Sequence, residues 1–301
     1  MGTGLGFGST TGPDDSEVYG ALLYHNGWEG TDRGHGHGID VANATGTQAV
    51  RESILFNSFG FGVHASTSQT GLRTLTVEGN VSFNHGVLSA QGGATANYLL
   101  GGRQVARNPV LRGNDGYYPA GSAGRNGDIG SPTPCANGVL EDNYFAGGTA
   151  LNLHCSATQV TGNTFLGVVA RSIKQTYRSN VYLTAPPATG VVRVRPNAYE
   201  VGRSTVVVYN WALLSEVRVD LSQTGLTVGD HYEVRDAQDF FGAPVVSGVY
   251  DGAPIRVPMT GLVVAPPVGN APLLPAHTAP EFGAFVVLRV APVAAAVTHD
   301  R

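Results

Sequence analysis

The sequence has almost no lysine. Lys174 stands alone against seventeen arginines, and charged residues make up only 13% of the 301 positions. With a net charge of −4 the chain lacks the basic field that holds nucleic acid, so no nucleic-acid partner is expected. No apolar run is long enough for a membrane-spanning helix, and no membrane insertion is expected. The opening residues, Met1-Gly2-Thr3-Gly4-Leu5-Gly6-Phe7-Gly8, lack the basic start and apolar middle of a secretory signal. They read like the inside of a repeat, so the chain is expected to begin within a longer protein. Between residues 17 and 195 no long segment repeats its apolar residues at the helical period of 3.6, which excludes the helical repeat families.

Glycine, by contrast, is abundant: 42 residues, beside a hydrophobic share of 42%. That is the composition of a turn-rich all-β protein rather than of a disordered chain. Through it runs a recurrent asparagine followed by an aromatic: Asn80-Val81-Ser82-Phe83, Asn114-Asp115-Gly116-Tyr117, Asn143-Tyr144-Phe145, Asn163-Thr164-Phe165 and Asn180-Val181-Tyr182. Weaker copies lie upstream at Ser53-Ile54-Leu55-Phe56 and Ala21-Leu22-Leu23-Tyr24. Successive copies are separated by 32, 27, 34, 29, 20 and 17 residues. A unit this short cannot bury its own apolar side and must stack on its neighbours. Its apolar stretches are brief, β-branched and bounded by Gly and Asn, so each is a strand between turns. The implied fold is a parallel β-helix of about seven coils. Asparagine suits a corner because it tolerates a left-handed backbone, and repeated corner amides would stack along the rod. The aromatic that follows is expected to point inward and fill the coil.

The stack resembles the right-handed parallel β-helix proteins of the pectate-lyase-like superfamily. The run Tyr24-His25-Asn26-Gly27-Trp28, with Asp32-Arg33-Gly34-His35-Gly36-His37-Gly38-Ile39, is similar to one found in bacterial β-helix repeat proteins. The resemblance covers about residues 4–195. It implies an extracellular or cell-surface protein whose partner is a polysaccharide, with an anionic one such as a polyuronide among the candidates. A monomer is expected. Cys135 and Cys155 lie near one coil length apart, so stacked coils would bring them within disulfide range, and two buried free thiols are the other reading.

The expected division is a β-helix over 1–198, an antiparallel β-sandwich-like domain over 199–292 and a flexible tail over 293–301. After Pro186-Pro187 the pattern becomes strand, turn, strand, with strands at Val206–Trp211, Val217–Leu221, Tyr232–Arg235, Pro254–Pro258 and Phe285–Arg289. This part resembles the small antiparallel domain that closes many bacterial carbohydrate-active enzymes.

Polar chemistry gathers at Glu29, Asp32, Arg33, His35, His37 and Asp40, with His64 one coil later. Alternation along an extended Gly34–Asp40 would put His35 and His37 on one side. Aligning Gly62-Val63-His64 with Gly38-Ile39-Asp40 makes Asp40 and His64 outward neighbours. Such a group suits a general base, sugar hydrogen bonding or a metal, but the spacing is not a recognised zinc pattern such as His-Glu-x-x-His. His64, His37, Asp40 and Arg33 are therefore the candidate catalytic residues, and no metal ligand is assigned. His35, Arg103, Tyr117 and Lys174 are the candidate substrate contacts. Trp28, Tyr98 and Tyr118 are further candidates for stacking on sugar rings.

Two functions remain open. One is an enzyme, a polysaccharide lyase or a glycoside hydrolase. The other is a rod that binds glycans without cleaving them. No cofactor is expected. Ca²⁺ is the one ion the resemblance would bring, but Lys174, in Arg171-Ser172-Ile173-Lys174, has no tight cluster of acids beside it in the aligned coils. The carboxylates available to a hydrolase are Asp32, Asp40, Asp115, Asp128, Glu141 and Asp142. A cluster of arginines at Arg103, Arg107, Arg112 and Arg125 could grip an anionic polymer.

Overall fold

The computed structural model describes residues 2–7, 15–42, 45–67, 71–92 and 95–291. The tail expected over 293–301 lies outside these residues. The chain is all-β, and its first part is a parallel β-helix with three faces.

The first face stacks Asp15–Tyr19, Thr47–Arg51, Thr74–Glu78, Val110–Arg112, Val139–Glu141 and Gln159–Thr161. Val18, Val50, Val77, Leu111, Leu140 and Val160 fall in register along it and enter one core. The second face stacks Leu22–Tyr24, Ile54–Phe56, Val81–Phe83, Asp115–Tyr117, the start of Tyr144–Leu153, Thr164–Val169 and Val181–Leu183. The third face stacks Leu5–Phe7, Ile39–Val41, Val63–Ser66, Ala96–Gly101, Arg125–Ile129 and the end of Tyr144–Leu153. A short extra pair aligns Cys135 with Cys155, and the two are joined as a disulfide.

The asparagines superimpose between the first and second faces. Asn114 Oδ1 accepts from Asn80 N–H and Nδ2–H, both at 3.0 Å. Its Nδ2 donates to Val77 O and Asn143 Oδ1, both at 2.9 Å. The same exchange links Ser53, Asn80, Asn114, Asn143, Asn163 and Asn180 into one column. The left-handed backbone falls one residue earlier than expected, at Gly20, Glu52, Gly79, Gly113, Asp142 and Gly162 (φ between 48° and 68°). The reason is a division of labour. The turn residue reverses the chain, and the next side chain can then project into the corner and pair the exposed main chain. The other corners carry left-handed residues too: His25, Asn57 and Asn84 at one, and Asn108, Asn137 and Ala157 at the other.

The aromatics divide between two sides, which corrects the expectation that all point inward. Phe145, Phe165 and Tyr182 align with Leu55 and enter the core. Phe83 and Tyr117 sit one residue further from their asparagines and align with Tyr24 and Phe56. A one-residue offset moves a strand side chain to the opposite side. Tyr24 stacks on Phe56 at 5.0 Å and Phe56 on Phe83 at 5.1 Å. This second aromatic column is also buried at Phe56 and Phe83.

By contacts, the described residues divide into those up to 189 with 264–278, and 190–263 with 279–291. The single cut expected near residue 198 differs from this in two respects. Val191–Pro196 is already a strand of the antiparallel sheet, pairing with Ser204–Tyr209. The segment Val264–Thr278 groups with the β-helix rather than with the sequence on either side of it. The second unit has a five-stranded sheet in the order Val191–Pro196, Ser204–Tyr209, Phe282–Val290, His231–Asp236, Val246–Val249. A two-stranded sheet of Glu216–Val219 and Ile255–Pro258 shares its core, in which Val219 and Val257 meet Val206, Val234 and Phe285.

Candidate functional site

On the third face, inward residues alternate with an outward row. Ile39 and Val41, and Val63 and Ala65, are fully buried in the core, so Asp40 and His64 between them face out. The outward row in register reads Gly6, Asp40, His64, Leu99, Asp128, Asn152. Asp40 and His64 are direct neighbours. His64 Nδ1 lies 2.7 Å from Asp40 Oδ1, with the carboxylate half exposed and the imidazole one-fifth exposed. Burial works to raise the Asp40 pKa, but the hydrogen bond from His64 and the nearby imidazoles outweigh it and hold the carboxyl below its ordinary value.

His37 joins this pair from the preceding turn. Its ring stacks on His64 with centroids 3.9 Å apart, and Phe61 lies 5.1 Å from His64. Phe61 N–H donates to His37 Nδ1 at 3.2 Å, so neutral His37 carries its proton on Nε2. Burial first, and the charge of His64 next, lower its pKa to about 3. The positive charges of Arg33 and His35 act in the same direction on His37, more weakly.

Arg33 and His35 are carried by a small hairpin. Trp28–Glu29 pairs antiparallel with Gly34–His35, and Gly30 N–H donates to Arg33 O at 2.9 Å to close the turn. His35 Nε2 meets Asp32 Oδ1 at 2.8 Å, and the His35 ring stacks on Trp28 at 4.6 Å and 14°. Asp32 also sits 3.8 Å from Arg33. From another loop, Gln91 N–H donates to Glu29 Oε1 at 2.9 Å and pins the hairpin. His35 and His37 do not share a side as expected. The strand ends at His35, and Gly36 takes φ = 90° so that its backbone can pass against Gly2. That turn sends His35 to Asp32 and Trp28, and His37 to Phe61 and His64.

The remaining candidates lie apart from the cluster. Arg103 is exposed just beyond the strand Ala96–Gly101, and its carbonyl accepts from Thr133 Oγ1 at 3.0 Å. Tyr117 is only 3% exposed, because its register with Phe83 puts it in the covered aromatic column rather than on a rim. Tyr98 and Tyr118 are likewise buried, and of the expected aromatics only Trp28 presents itself, at 51% exposure. Lys174 is in a helix, Arg171–Thr176, rather than a strand, with Nζ 5.9 Å above the Tyr182 ring. Arg, Lys and Gln favour helix, and Ile173 is the one residue the helix buries.

Arg112 and Arg125 of the arginine cluster are paired with carboxylates, while Arg103 and Arg107 are exposed. Arg112 pairs with Glu141 at 2.9 Å and approaches Glu78 at 3.8 Å. Arg51 pairs with Glu17 at 2.6 Å and Glu78 at 3.0 Å. The result is an alternating ladder on the outside of the first face. Arg125 pairs with Asp128 at 2.6 Å. Sequence reading gave this outward Asp128 no partners. They are Arg125 and Asn152, whose Nδ2 donates to Asp128 Oδ1 at 2.7 Å, and His154 bonds Asn152 in turn. Register along the third face was the signal, and it required the lengths of the intervening loops. Among the described residues no three His, Cys, Asp or Glu side chains gather as ligands for a metal ion.

No family model, curated protein or solved structure matches the chain. The chemistry of the site therefore rests on its own geometry.

Proposed function

We propose that the protein is a carbohydrate-active β-helix of the cell exterior that holds a polysaccharide chain along its third face. The Asp40–His64 pair carries this reading. An imidazole whose Nδ1–H is held by a carboxylate offers Nε2 as a base, and His64 does so on the outward row of the third face. The likeness of the stack over about residues 4–195 to the pectate-lyase-like β-helix proteins supports the same reading, as does the likeness of the antiparallel unit to closing domains of carbohydrate-active enzymes. The Cys135–Cys155 disulfide suits an oxidising, extracellular setting.

The chemistry that fits is β-elimination from a uronide. His64 Nε2 takes the proton from the carbon beside the carboxylate. The electron pair left behind forms a carbon–carbon double bond, the bond to the leaving sugar oxygen breaks, and that oxygen takes a proton from solvent. Arg33 meets the uronate carboxylate through its exposed guanidinium. Hydrolysis by paired carboxylates fits less well. Asp40 and Asp128 share the outward row but are three rungs apart, about 14 Å, against at most about 9.5 Å for such pairs.

Incubation with a panel of polyuronides, with and without Ca²⁺, tests the reading through the absorbance of the unsaturated product. Activity is expected, and His64→Ala should lower it by about a hundredfold or more. An unchanged rate in that variant removes His64 as the base. The pairing of Arg112 and Arg125 with carboxylates favours a second reading, a rod that binds glycan without cleaving it. Retention on a glycan column without any product would select it.

A further inference from the structure

Three rungs along the outward row from His64 stands a second organised imidazole. Asp128 sits with its side chain 8% exposed, and both of its oxygens are engaged. Oδ2 accepts from Arg125 at 2.6 Å and Oδ1 from Asn152 Nδ2 at 2.7 Å. Asn152 Oδ1 in turn takes a hydrogen bond from His154 Nε2 at 3.1 Å. The amide can only accept at that oxygen, so neutral His154 carries its proton on Nε2 and leaves Nδ1 bare. His154 itself is exposed. A nearly buried ion pair thus fixes an amide, and the amide fixes a surface imidazole.

From this geometry we infer that Asn152 and His154 form a second sugar-binding station, which engages the hydroxyls of the same chain that passes His64. The inference rests on the glycan reading above and adds to it a minimum ligand length and a local chemistry. Arg125 and Asp128 cancel each other's charge, so no free ion remains there to meet a carboxylate. The groups left to a ligand are the bare Nδ1, an acceptor, and the second N–H of Asn152, a donor. That pairing suits a hydroxyl, which both gives and takes a hydrogen bond. Leu99 lies between the two stations in the same row and offers an apolar floor to a sugar ring. The strands of His64 and Asn152 are three rungs apart, about 14 Å. An extended sugar chain advances by about one rung per unit, so a ligand must have about four units to reach both stations.

The experiment measures affinity against chain length, using oligogalacturonides and neutral xylo-oligosaccharides from disaccharide to hexasaccharide. Wild-type protein, His64→Ala, His154→Ala and His154→Gln are compared, with thermal unfolding confirming that each is folded. The expected result is a gain of about tenfold between trisaccharide and hexasaccharide. It should be absent in His154→Ala, while disaccharide binding is the same in both proteins. The imidazole signals of His154 in an NMR spectrum should move on adding hexasaccharide but not disaccharide. A length dependence unchanged in both His154 variants, or a His154 signal that ignores the hexasaccharide, overturns the second station and leaves the first reading standing. Failure of every oligosaccharide in both series to bind overturns both.

Discussion

At the scale of the residue, the histidines are the most informative side chains. Burial lowers the pKa of His25 to about 4 and that of His85 to about 3, and burial with the His64 charge lowers His37 to about 3. In an unfolded chain each would titrate near 6.5. Below that pH the unfolded chain takes up protons that the fold refuses, so stability is complete above about pH 6.5 and declines as the pH falls toward 4. The melting temperature should therefore drop steadily between pH 7 and 4.5, and a flat profile would contradict the buried, neutral assignment. The Asp40–His64 contact was legible from the sequence, because two copies of one motif place Asp and His at the same point. The separation of His35 from His37 was not. It depends on the backbone of Gly36 passing against Gly2, a contact that no local pattern announces.

At the scale of the element, the asparagine column was legible and its mechanism was not. The repeat shows that amides stack, but the left-handed residue before each one is Gly in some copies and Glu52 or Asp142 in others. The aromatic partition was hidden for a related reason. Spacing from the asparagine varies by one residue, and only the register shows that this changes sides. The column makes a sharp prediction. Asn114→Ala leaves the Asn80 amide groups and Val77 O without their buried partners. It should cost about 3 kcal/mol or more, read as a lowered urea midpoint of the β-helix. The outer Glu–Arg ladder should behave differently. Its members are 30% to 46% exposed, so Glu78→Gln is expected to cost about 1 kcal/mol or less and to lose that effect at high salt.

At the scale of the whole molecule, the all-β class and the change from parallel to antiparallel strands were readable from composition and turn signals. The strand Val191–Pro196 is not legible as part of the antiparallel unit, because its alternating Val and Arg match the last coil of the rod as well as a new sheet. The disulfide links sites 20 residues apart, one coil of the rod. Closing a loop of that size stabilises by about 3 kcal/mol, so reduction, or the Cys135→Ser and Cys155→Ser pair, should lower the unfolding midpoint of the β-helix. An unchanged midpoint would show that the stacked strands alone hold this coil.

The excursion of Val264–Thr278 into the first unit has a practical result. The polypeptide cannot be separated into its two parts by one scission. A fragment stopped at residue 189 would leave its own unit incomplete, and the remainder would carry a stretch that belongs elsewhere. Dissection of the protein into folding pieces therefore calls for excising an internal segment, or supplying it in trans, rather than for truncation.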